Sequence, residues 1–257
     1  MTCEQAIQYI HSNSWKGQRP GLERIRALLA ALGDPQKAVR CIHVAGTNGK
    51  GSVCAMLDSI LRAAGYRVGL FTSPYIRRFQ ERMRADGEMI GDEELAEITE
   101  FVRPHAEAME DRPNEFELIT AIGFEFFRRR KVEYVVLEVG LGGRLDPTNI
   151  IEDPLLSIIT DIDFDHTAQL GNTIQAIHHR RSHLLTLQYF NTAHKRKTCI
   201  NKRCKLTGKR RQFFRLNGFR TEEIRHLNIN FLIHSTAALL SSRLLRRLFR
   251  LLLRSWA

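Results

Sequence analysis

Cys41-Ile42-His43-Val44-Ala45-Gly46-Thr47-Asn48-Gly49-Lys50-Gly51-Ser52 is the stretch that decides the fold. Cys41 to Val44 reads as a short apolar strand, and a glycine-rich run follows it from Gly46 to Ser52. The spacing beyond predicts a helix over 53–64, with Val53, Met56, Leu57, Ile60 and Leu61 on one face. Gly65 closes that helix, and Tyr66 to Phe71 reads as the next strand. Strand, loop, helix and strand in this order form the repeating unit of α/β proteins.

The chemistry of the loop follows from its residue types. Glycines let backbone N–H groups turn inward and wrap phosphate oxygens, and the start of a helix adds its positive end. Lys50 supplies a point charge for the outer phosphates, and Ser52 a hydroxyl for phosphate or metal. Gly51 stands between Lys50 and Ser52, so the spacing departs from the common G-x-x-x-x-G-K-[ST] form. The competing reading is a glycine-rich turn with a solvent-facing lysine. The strand and helix on either side disfavour it.

Upstream, 4–11 and 22–32 carry apolar residues at helical spacing, separated by Gly17, Pro20 and Gly21. Downstream, 91–109 and 117–130 predict helices, while 132–139 and 155–159 predict strands. Strands this apolar on both faces belong in a covered, mostly parallel sheet. The expected class is α/β, a P-loop NTPase-like, mostly parallel sheet with flanking helices. In such sheets ligands lie beyond the carboxyl ends of the strands. That places Thr72-Ser73-Pro74-Tyr75, Glu138 and the acidic run ending in His166 at one edge. Glu138 there either holds a nucleotide-bound Mg²⁺ or caps a loop N–H. His166 reads as a metal ligand or as a loop histidine, and Asp163 and Asp165 are equal sources of negative charge.

The net charge of +11 invites a nucleic-acid reading. Residues 1–177 hold 20 Lys+Arg against 26 Asp+Glu, whereas 178–257 hold 19 against 2, so the basic field lies outside the motif-bearing region. The second segment contains no Asp, Val, Pro or Met, and only 232–253, rich in Leu and Arg, reads as a helix. No alternation of strands and helices is expected to continue the sheet there. Five irregularly spaced cysteines form no disulfide framework, and Cys199 with Cys204 makes at most half a zinc site. The mixed start MTCEQAIQYI is not a signal peptide, and no apolar run is long enough to span a bilayer, so the cytoplasm is expected.

Five ordered strings carry a resemblance: HVAGTNGKGSV from His43, GLFTSPY from Gly69, FQERMR from Phe79, EVGLGGRLDPTN from Glu138 and DIDFDHTAQLGNTIQAI from Asp161. Together they resemble the folylpolyglutamate/dihydrofolate synthase family, a branch of the Mur ligase superfamily. The resemblance implies ATP at Gly46, Thr47, Asn48, Gly49, Lys50, Gly51 and Ser52, with Lys50, Glu138 and His166 catalytic. It implies Mg²⁺ at Ser73, Glu138 and His166. It implies substrate contacts from Thr72, Ser73, Pro74, Tyr75, Phe79, Glu81 and Arg82. The implied reaction is ATP-dependent ligation of L-glutamate to dihydropteroate or a folate through an acyl phosphate, by a monomer with small-molecule partners and no specific nucleic acid.

The chain departs from the family in three ways. Tyr75 stands where the family usually has histidine. From His178 the chain reads HHRRSHLLTL, where the family carries a GEKAGI-like segment whose lysine helps hold a second metal. Residues 178–257 do not resemble the rest of the family's sheet or its C-terminal domain. A change of reading frame near codon 178 is the simplest expectation for the break, and catalysis without the second domain is expected to be inefficient. The other readings are a different amide ligase of the same superfamily, and a fragment whose basic tail binds nucleic acid or an anionic membrane.

Overall fold

A computed structural model describes residues 1–13 and 21–160, and the backbone of Tyr189–Asn191. His166, Asp163, Asp165, the Cys199–Cys204 pair and the expected helix at 232–253 lie outside the described residues.

The strands are β1 (Arg40–Ala45), β2 (Val68–Phe71), β3 (Met83–Ala85), β4 (Glu88–Met89), β5 (Tyr134–Glu138), β6 (Leu156–Ile159) and β7 (Tyr189–Asn191). They form one sheet in the order β4-β3-β2-β5-β1-β6-β7. The pairs β2–β5, β5–β1, β1–β6 and β6–β7 are parallel, and β2–β3 and β3–β4 antiparallel. The helices are α1 (Cys3–Ser12), α2 (Glu23–Ala31), α3 (Lys50–Ala63), α4 (Asp92–Glu107) and α5 (Glu115–Arg129).

Alternation along the strands explains how the sheet is covered on both sides. Cys41, Phe71, Val135 and Leu137 pack in one core with Ile10, Leu28, Ile98 and Phe127 from α1, α2, α4 and α5. Their neighbours Ile42, Val44, Leu70 and Val136 face the other way and pack on Cys54 and Leu61 of α3. Gly123 of α5 lets that helix close on the sheet, since an added Cβ would meet Phe71 at 2.9 Å. Asn114 and Glu117 form a reciprocal cap at the start of α5, so the helix begins two residues before its apolar pattern does.

Two features go beyond the expected pattern. The segment Phe79 to Arg84 forms a 3₁₀ turn (Phe79–Arg82) leading into β3, and β3 and β4 make an antiparallel hairpin at the sheet edge. Its turn holds Asp86 at φ 54° and Gly87 at φ 91°. An Asp-Gly pair suits two successive left-handed residues. Second, β7 continues the sheet beyond residue 177, pairing Ser157 with Tyr189 and Ile159 with Asn191. A strand of three residues carries too short a period to be read from sequence. Among the described residues no helix is long and apolar enough to cross a membrane.

Candidate phosphate and metal site

The register sets the site. Val44 lies beside Glu138, and Phe71 beside Leu137, so β1, β2 and β5 end at one level. The loops after these three strands therefore meet at the carboxyl edge of the sheet.

The loop after β1 turns into α3 at Gly49, whose φ is 80° with nothing within 4 Å of an added Cβ. Glycine alone adopts this conformation without strain. Lys50, Gly51 and Ser52 consequently form the first helical turn rather than a loop before it. Backbone N–H groups of a first turn have no partner within the helix, which suits them to anionic oxygens. The Lys50 Nζ folds back and donates to Gly46 O at 3.0 Å and Thr47 O at 3.1 Å. Thr160, just past β6, donates its hydroxyl to Asn48 O at 2.7 Å and so ties the loop to the neighbouring strand.

Glu138 closes β5 with only 4% of its surface exposed. Its Oε2 accepts the Ser73 N–H at 3.1 Å and lies 3.6 Å from where a Cβ on Gly51 would be. Burial pushes its carboxyl up, while the Ser73 N–H and the Lys50 charge pull it down. A desolvated carboxylate next to a phosphate loop and a serine suits Mg²⁺, which keeps waters and phosphate oxygens and takes one or two protein carboxylates. Glu138 and Ser73 would hold the ion, and the ion would offset phosphate charge. The described residues contain no cluster of three or more His, Cys, Asp or Glu side chains that could hold a metal.

The loop after β5 is held by residues the motif reading passed over. Asp146 is buried, and its carboxylate accepts Leu141 N–H at 2.6 Å, Thr148 N–H at 3.0 Å and the Thr148 hydroxyl. Burial raises its carboxyl to about 6 in spite of these donors. Because Thr148 gives its only hydroxyl proton to Asp146, His43 must donate to Thr148 Oγ1 from Nε2, at 2.9 Å. The His43 Nδ1 is then left with no partner, and burial lowers the imidazole to about 3. His43, Thr148 and Asp146 thus bolt β1 to the loop that follows Glu138. Asp146-Pro147-Thr148 is an N-cap pattern, and that is how sequence alone points to Asp146.

The expected substrate residues lie on the loop after β2. Thr72 donates its N–H to Arg82 O at 3.0 Å, so Arg82 sits beside the Thr72–Ser73 corner. The Ser73–Pro74 bond is cis. The Glu81 carboxylate accepts the N–H groups of Ile76, Arg77 and Arg78 at 2.8, 3.1 and 3.1 Å, so it organises the loop. Phe79 is buried, whereas Tyr75 and Ile76 are exposed. The geometry brings the phosphate loop, Ser73 and Glu138 together, with the Tyr75–Arg82 segment alongside.

Comparison with known proteins agrees with this arrangement. The Mur ligase middle domain matches residues 44–194, more than half of the chain. The dihydrofolate synthase/folylpolyglutamate synthase of Bacillus subtilis is 48% identical over 179 residues, covering 68% of this chain and 41% of that protein. The apo form of L. casei FPGS superposes with a TM-score of 0.69 at 42% identity, covering 72% of this chain and 46% of that one. An FPGS–AMPPCP–folate complex gives the same TM-score, identity and coverage. The chain thus spans less than half the length of these relatives. From the glycine-rich loop to β7, this chain belongs to the Mur ligase family through its middle domain, in the branch of the folylpolyglutamate and dihydrofolate synthases.

Proposed function

We propose that the chain carries the nucleotide-binding part of an ATP-dependent ligase that joins L-glutamate to dihydropteroate or a folate. The observation that carries this reading is the meeting of the Lys50 loop with Glu138 and Ser73, in a chain whose solved relative holds AMPPCP and folate.

In the first step a substrate carboxylate oxygen attacks the γ-phosphorus of ATP, the bond to the β-phosphate oxygen breaks, and ADP leaves. The first-turn N–H groups and the Lys50 ammonium offset charge on the transferring phosphoryl. Glu138 and Ser73 would hold Mg²⁺, which would supply further charge neutralisation. In the second step the glutamate amine attacks the acyl carbon, the C–N bond forms, phosphate departs and the amine loses a proton. Lys50 must leave the Gly46 and Thr47 carbonyls to reach a phosphate, a movement the flexible lysine stem permits.

The test is product formation by the purified chain with Mg²⁺, ATP, L-glutamate and dihydropteroate or tetrahydrofolate. The reading expects slow product formation, as befits a chain without the second domain, and none in Lys50→Ala. Product formed equally by both would remove Lys50 from the reaction. A folded chain that binds nucleotide but neither acceptor would point to another amide ligase of the family.

A further inference from the structure

Arg82 is an unusual buried cation. Only 8% of it is exposed, its Nε has no hydrogen-bond partner, and no ion pair reaches it among the described residues. Burial lowers its affinity for a proton, and Glu115 is the carboxylate that acts on it through space. The Glu115 carboxylate is itself engaged by His11 at 2.9 Å. What holds the guanidinium is aromatic: its carbon lies 4.9 Å from the centre of the Tyr75 ring and 5.6 Å from that of Phe79. The two rings are 6.0 Å apart and tilted by 57°. Phe79 is fixed in the core, whereas Tyr75 is 36% exposed and precedes Ile76, which is 90% exposed.

A ring face attracts a cation without taking any of its N–H donors. A carboxylate partner would hold the guanidinium too, but would spend its charge and its donors. The arrangement therefore keeps a desolvated guanidinium in place with its Nε donor unused, beside the Thr72–Ser73 corner that orients Glu138. Such a fork matches a planar carboxylate best, since two parallel N–H···O bonds form at once.

We propose that Tyr75 is a positioning and specificity residue that acts through Arg82, holding it by its ring face so that the loop after β2 receives a carboxylate group of the acceptor. This rests on the folate-ligase reading and adds to it the side chain that prepares the acceptor's anionic group. The ring, not the hydroxyl, carries the effect.

The test measures folate binding to the full chain in the presence of Mg²⁺ and AMPPCP, for the wild type, Tyr75→Phe and Tyr75→Leu, with AMPPCP affinity measured in parallel. Tyr75→Phe is expected to bind folate within about twofold of the wild type, and Tyr75→Leu about tenfold more weakly, the scale of a partly desolvated cation–π contact. AMPPCP affinity is expected to be equal in all three, showing that the fold and the phosphate loop are intact. Glutarate is expected to displace folate from the wild type, and inorganic phosphate is not. Equal folate binding by Tyr75→Leu, or equal losses in Tyr75→Phe and Tyr75→Leu, would overturn the proposal. Displacement by phosphate alone would overturn its carboxylate assignment. A wild type that binds AMPPCP but no folate would sink the folate reading itself, and this inference with it.

Discussion

His43 shows how a single residue can make the fold depend on pH. Its imidazole titrates near 6.5 when unfolded and near 3 in the fold, because burial disfavours the charged form. Between those values the unfolded chain binds a proton that the native chain does not. The stability this group contributes is therefore present above about 6.5 and lost as pH falls toward 3. Asp146 acts with the opposite sign: its carboxyl rises from 3.8 to about 6, so its contribution is full below 3.8 and fades as pH climbs through 6. The imidazole shift is the larger of the two, so acid is the direction of loss. His43→Gln is expected to recover about 2–3 kcal/mol of the loss between pH 7 and pH 4.5. Urea unfolding of both proteins at the two pH values measures this, and an identical pH response in the two would refute it. None of this linkage was legible in the sequence. His43 stands in the apolar run of β1, and only the packing of Thr148 against it reveals the hydrogen-bonded chain.

At the scale of elements, helix α5 against β2 gives a prediction whose sign runs against propensity. Replacing a mid-helix glycine by alanine ordinarily stabilises by about 1 kcal/mol. At Gly123 the added methyl would meet two Phe71 ring carbons at 2.9 Å each, and Phe71 is itself fully buried. Gly123→Ala is accordingly expected to destabilise by about 1–3 kcal/mol, the cost of overpacking a filled core. Chemical denaturation decides it, and a more stable variant would show that α5 can move off the sheet. The elements themselves were readable wherever an apolar period ran long enough: α3, α4, α5, β1 and β5 lie close to their expected places. Their ends were not, because caps such as Asn114 and Gly49 sit outside the apolar pattern. The β3–β4 hairpin escaped because its strands are two and three residues long.

Across the whole molecule, the parallel order β2-β5-β1-β6-β7 makes one edge of the sheet the meeting place of every motif that sequence singled out among the described residues. That much could be read in advance, since a glycine-rich loop between strand and helix fixes both the class and the edge. The limit of the domain could not. Charge and composition change at 178, yet the family match runs to 194 and β7 lies within it. Composition reports the solvent-facing majority of residues, whereas three backbone-paired residues suffice to extend a sheet.

Glu138 and the Lys50 loop are proposed to form one Mg²⁺–nucleotide site. Equilibrium binding of AMPPCP to the wild type and to Glu138→Gln, with and without Mg²⁺, tests it most directly. The glutamine keeps an oxygen for the Ser73 N–H and removes a charge that burial disfavours, so the variant is expected to fold at least as well as the wild type. Mg²⁺ is expected to tighten binding to the wild type by roughly tenfold or more and to leave the variant nearly unchanged, while metal-free affinity is the same in both. A variant that responds to Mg²⁺ as the wild type does would contradict the site as described.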